Sequence, residues 1–71
     1  MADEVRAPLA GIVQAVLVEP GTAVAADAEL VVVATPAAEH LVYAPRAGTV
    51  LAVRVQERDA VAAGDLLLLI E

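Results

Sequence analysis

The chain has 71 residues, enough for one domain with a modest core, and a formal net charge of −6. Its four cations are Arg6, Arg46, Arg54 and Arg58; they form no cluster, so neither nucleic acid nor an anionic membrane finds the positive stripe it would need. Cysteine is absent, which excludes disulfides and thiolate chemistry, and lysine is absent as well.

Residues 1–4 are acidic and lack the basic-then-apolar order of a secretory signal, so a cytoplasmic location is expected. The hydrophobic fraction is 61%, supplied mostly by Ala and Val, and no apolar run approaches the roughly 20 residues of a membrane span. Tyr43 is the only aromatic, so the core is expected to be built from many small Val, Leu, Ile and Ala contacts. Runs of five to seven residues rich in Val, set between turn formers, predict strands over 3–7, 12–18, 29–34, 40–44, 49–55 and 66–70. Ala-Pro pairs at 7–8 and 44–45, each followed three residues later by Gly, mark bends. Residues 19–22 and 56–59 read as turns. Helix is the competing reading for an Ala- and Leu-rich chain, but Pro and Gly interrupt every long window and β-branched residues are dense.

The chain is written twice. Residues 5–34 reappear as residues 42–71 at a constant offset of 37, with Ala7/Ala44, Pro8/Pro45, Gly11/Gly48, Val13/Val50, Val16/Val53, Val18/Val55, Val24/Val61 and Leu30/Leu67 identical. Such a repeat signals a unit that cannot bury its apolar face without its copy. Two copies predict a closed domain with two-fold symmetry, spanning residues 1–71, with a non-repeated joint at residues 35–41. Val16/Val53 and Val18/Val55 predict one buried face, while the Leu17/Arg54 pair places Leu17 in water. Val13/Val50 is out of phase with these, which predicts a bulge near residues 14 and 51. The runs 30–33 and 67–70 are apolar on both faces, so either both faces are covered or one meets a partner. Asp27 stands where the second copy has Gly64, and Arg58 where the first has Gly21. If these positions need φ > 0, Arg58 bears more strain than Asp27.

Ala-Pro-x-x-Gly-x-Val, Val-x-Val, a turn, x-Val-x-x-Gly-Asp-x-Leu and a terminal Ile-Glu together resemble the biotinyl/lipoyl attachment domain, in particular the short, free-standing biotin carboxyl carrier proteins. The resemblance covers the whole chain. It implies an all-β fold, a flattened barrel of two four-stranded sheets with quasi-two-fold symmetry. It also implies that the joint is a hairpin whose tip reads Glu-(Ala or Ser)-Met-Lys-Met-Glu, the lysine carrying biotin. Aligned without gaps, Ala34 and Thr35 take the first two places, Pro36-Ala37-Ala38 replaces Met-Lys-Met, and Glu39 keeps the closing Glu. Ala37 thus falls at the lysine position. An amide-linked cofactor needs an amine that can lose its proton; alanine has none and arginine stays protonated. The expected cofactor complement is therefore none, although the family implies biotin. If the family's Met-Lys pair forms a type I′ turn, Pro36, with φ fixed near −65°, cannot take its first place, so the tip is predicted to be a type I or II turn with Pro36 second, or a wider loop.

No catalytic residue is expected, and the chain is read as not an enzyme. Glu39-His40 is the one pairing suggestive of acid–base or metal chemistry, but a single His without further nitrogen or sulfur ligands reads as a strand residue, so no metal site is expected. Asp59 and Asp65 read as turn caps. Ser and Cys are absent and no His lies close in sequence to Thr22, Thr35 or Thr49, leaving no support for a hydrolase triad. The glycines form no phosphate-cradling loop. The reading is a carrier-type domain without its acceptor, acting by binding a protein of the biotin carboxylase or carboxyltransferase type. Contact candidates are Leu17, with Ala37 and Tyr43 placed near the tip. Two alternatives are a nominal carrier subunit of an acetyl-CoA carboxylase-type enzyme with its acceptor site lost, and a membrane-fusion-type lipoyl-like module, which a long helical hairpin would split at the joint.

Overall fold

Short Val- and Leu-rich segments bounded by Gly, Pro and Asp can bury their apolar side chains only by pairing as strands and closing two sheets on one another. The computed structural model, which describes residues 2–71, does this with eight strands: β1 Asp3–Arg6, β2 Gly11–Val16, β3 Ala23–Val24, β4 Glu29–Ala34, β5 Glu39–Tyr43, β6 Gly48–Val53, β7 Ala60–Val61 and β8 Leu66–Ile70. All pairings are antiparallel, in two four-stranded sheets ordered β1-β8-β6-β3 and β5-β4-β2-β7. The expected flattened all-β sandwich is present. Two strands were not foreseen: β3 and β7 have two residues each, too few for any alternation to show. The strands expected at 12–18 and 49–55 end at Val16 and Val53, although Leu17 N and Arg54 N still donate to Leu30 O and Leu67 O at 2.9 and 2.8 Å.

The fourteen buried apolar residues are seven pairs 37 apart: Val5/Val42, Ala7/Ala44, Val13/Val50, Val24/Val61, Leu30/Leu67, Val31/Leu68 and Val33/Ile70. The core is therefore two-fold symmetric in position, with the larger Leu68 and Ile70 in the second copy where the first has Val31 and Val33. Val16, Val18, Val53 and Val55 pack against this core but stay half-buried. The register skips between Val13 and Ala15 on β2, and between Val50 and Ala52 on β6, which is the bulge expected at residues 14 and 51. Further skips between Glu29 and Val31, and opposite Leu67, let two successive residues of β4 and β8 point inward. Leu30-Val31 and Leu67-Leu68 are accordingly all buried, leaving Val32 and Leu69 on the outer faces.

Gly11 and Gly48 mark the closest backbone approach. A Cβ on Gly11 would lie 2.6 Å from Ala34 O, and one on Gly48 2.7 Å from Glu71 O, so neither copy tolerates a side chain there. The turns at 19–22 and 56–59 carry φ > 0 only at their third residue, Gly21 (93°) and Arg58 (76°), as type II turns require. Residues 25–28 and 62–65 repeat the pattern with Asp27 (66°) and Gly64 (88°). Asp59 and Asp65 cap their own turns, accepting from Gln56 N at 2.9 Å and Ala62 N at 2.8 Å.

Candidate functional site

The joint between the copies is a tight hairpin linking β4 to β5. Ala34 lies opposite Glu39, and residues 35–38 make the turn. Thr35 N donates to Ala38 O at 2.8 Å. The return bond, which a regular two-residue hairpin would take from Ala38 N to the Thr35 carbonyl, goes to the Thr35 hydroxyl at 3.2 Å. The same Oγ1 accepts from Ala37 N at 3.3 Å and donates to Ala38 O at 3.1 Å. Neither Pro36 nor Ala37 has φ > 0, so the tip is neither type I′ nor type II. It is a bend with Pro36 second and negative φ at both central residues, held by a side-chain oxygen in place of a backbone one. The role of Thr35 was not apparent from the sequence, although a Thr one place before Pro is a recognisable turn-opening signal.

The chemistry available at the tip is limited. Pro36, Ala37 and Ala38 are exposed and carry only hydrocarbon. The one hydroxyl, on Thr35, is occupied by three hydrogen bonds. Biotin, which the resemblance implies, needs an amine to form its amide, and no side chain at this tip offers one. The residues do not fit the cofactor.

The two-fold mates of the residues beside the tip lie in the other sheet. His40 faces Val33 beside the tip, as Asp3 faces Ile70 in the other sheet. His40 is half-buried at the edge strand β5. Among the described residues no three His, Asp or Glu side chains come together in a metal-like group. No helix among the described residues is long and apolar enough to cross a membrane.

Leu17 and Tyr43 are both about half exposed. They flank the start of β4: Leu17 N bonds Leu30 O, and Tyr43 lies opposite Glu29. The expectation that Tyr43 sits near the tip is corrected here. Tyr43 ends β5 and Glu39 begins it, so Tyr43 lies about 13 Å along the strand from the turn. Ala37 and Tyr43 thus mark opposite ends of one hairpin, while Leu17 and Tyr43 belong together on its sheet.

The family model described as biotin-requiring enzyme, the biotinyl/lipoyl family, matches residues 1–70. No curated protein matches the chain. A solved single-chain, multi-domain long-chain acyl-CoA carboxylase contains a segment 38% identical to this chain, with a TM-score of 0.89, covering 96% of this chain and 7% of that one. The urea carboxylase of Kluyveromyces lactis matches over 100% of this chain and 6% of its own, with a TM-score of 0.93 and 24% identity, a likeness of fold alone. The chain spans less than a tenth of the length of either carboxylase.

Proposed function

Because the chain belongs to the biotinyl/lipoyl family, we propose that it is a carrier-type domain working without a covalent cofactor, as a non-catalytic binding element of a biotin-dependent carboxylase-type system. The observation that carries this reading is the tip. Ala37 stands at the exposed turn where the family carries its lysine, and the chain contains no lysine to replace it. Pro36 and Thr35 support the reading further, because a proline and a bend held by a hydroxyl stand where the family motif has Met-Lys. The core is paired throughout between the two copies, so the fold stands without an acceptor at the tip. The solved long-chain acyl-CoA carboxylase supports a carboxylase setting; the proposed partner is a biotin carboxylase or carboxyltransferase component, and the proposed compartment is the cytoplasm. A membrane-fusion module gains no support, since four residues join β4 to β5 and no helical hairpin splits them.

The test is calorimetric titration of the chain, never exposed to biotin ligase, against a purified biotin carboxylase component and a purified carboxyltransferase component. Saturable binding to one of them is expected. Absence of binding to both, at concentrations where a lysine-bearing carrier domain binds, would overturn the reading.

A further inference from the structure

Since the core is symmetric, the positions where the two copies differ in character on their outer faces are informative. On the sheet β5-β4-β2-β7, the register places three rows outward: Ile12 beside Ala34, then Ala15, Val32 and Leu41, then Leu17 and Tyr43 on either side of Glu29. Ile12, Leu17, Leu41 and Tyr43 are 46, 49, 38 and 50% exposed. Thirty-seven residues away in each case, the other sheet carries Thr49 for Ile12, Arg54 for Leu17, Glu4 for Leu41 and Arg6 for Tyr43. There Arg6 and Glu4 pair at 2.7 Å, and Arg6 also donates to Gly64 O. One face thus carries charged, internally paired residues beside Leu51, Leu66 and Leu69, while its symmetry mate is the more apolar, with Gln14, Glu29 and Glu39 as its polar residues. Of the five large exposed apolar residues among those described, only Leu51 lies outside the apolar face.

The strands of this sheet contain no lysine or arginine, and their carboxylates, Glu39 and Glu29, stand at the two ends of the face. A second copy is a poor occupant. It would bring another −6 charge and would set carboxylates against carboxylates. The apolar area is on the order of a few hundred Å², below the roughly 800 Å² per partner of a stable interface. We infer that the outer face of β5-β4-β2-β7 is a transient docking surface for a protein whose contact area has an apolar centre flanked by Arg or Lys. The face begins at the hairpin tip and runs down β5, so a partner seated on it also meets Ala37. This inference rests on the proposed function for the choice of partner, a carboxylase-type component, and adds the surface that meets it.

The test exchanges residues between the copies. Leu41→Glu with Tyr43→Arg gives this face what its symmetry mate carries, and Leu51→Gln does the reverse check on the other sheet, where the first copy has Gln14. All three side chains are exposed, and thermal melts establish that each variant folds. Against the carboxylase component that binds the native chain, the double variant is expected to lose affinity at least 10-fold and Leu51→Gln to match the native chain. Raising salt should weaken native binding through the carboxylate margin. In the native complex, amide shift changes should gather on Ile12, Val32 and Leu41 and spare Thr49, Leu69 and Glu4. Native-like binding by the double variant, or shifts gathered on the opposite sheet, would overturn the surface and leave the proposed function standing. Sedimentation showing a native dimer that the double variant abolishes would replace the partner by a second copy and so overturn the inference. Absence of binding to either component would overturn the proposed function, and this inference with it.

Discussion

Arg58 occupies the third place of a type II turn with φ 76°, where the first copy has Gly21 at φ 93°. An L-residue held in this left-handed region costs roughly 1–2 kcal/mol, and glycine gives back about 0.5–1 kcal/mol through its freer unfolded state. Arg58→Gly should therefore stabilise the domain by about 0.5–1 kcal/mol. Nothing opposes this: among the described residues the Arg58 side chain makes no hydrogen bond or ion pair, and only its backbone N is used, donating to Val13 O at 2.7 Å. An unfolding entropy near 2.1 cal/mol/K per residue, about 0.15 kcal/mol/K for this chain, converts the gain to a rise in Tm of about 3–7 °C. The mirror experiment is Gly21→Ala. A Cβ there meets nothing within 4 Å, so the substitution isolates backbone strain from packing and should lower Tm by a similar amount. The two turns share no partner, so the double variant should return close to the native Tm. Asp27→Gly should gain less, since Asp tolerates φ > 0 better than Arg. Scanning calorimetry of these four variants decides the matter. An unchanged or lower Tm for Arg58→Gly, or an unchanged Tm for Gly21→Ala, would refute the strain argument.

Gly11→Ala forces a methyl group to 2.6 Å from Ala34 O and should cost at least about 2 kcal/mol, read as a lowered midpoint in urea; a cost below about 0.5 kcal/mol would show that β2 and β4 separate freely. Thr35→Val removes the oxygen that accepts from Ala37 and Ala38; it should cost about 1 kcal/mol and speed hydrogen exchange at the Ala38 amide, and unchanged exchange there would remove the hydroxyl from the account of the tip. Glu57→Pro copies Pro20 of the first turn into the second and should stabilise by about 0.4–1 kcal/mol; a loss of stability would mean that the two turns differ in their second residue.

The repeat made much of the fold legible before any coordinates. Each core residue has its mate 37 positions on, the phase change between Val13 and Val16 marked the bulge, and the Gly21/Arg58 and Asp27/Gly64 exchanges marked the left-handed turn positions. Strands β3 and β7 were hidden because two residues carry no period. Tyr43 was misplaced because closeness to the joint in sequence was taken for closeness to the tip, whereas an extended strand moves away by about 3.3 Å per residue. The apolar face was harder to see. Leu17 and Tyr43 were read as contact candidates at separate places, and only the cross-strand register joins them to each other and to Ile12, Val32 and Leu41. A comparison of the two copies for apolar-to-charged exchanges, rather than for identities, would have pointed to it.

The central claim is that a retained carrier fold presents a tip with nothing to modify. Intact-mass measurement after incubation with a biotin ligase, biotin and ATP tests this most directly, with a lysine-bearing carrier domain as the positive control. The account predicts an unchanged mass for the chain while the control gains one biotinyl group. A gain of one biotinyl group by the chain itself would contradict it.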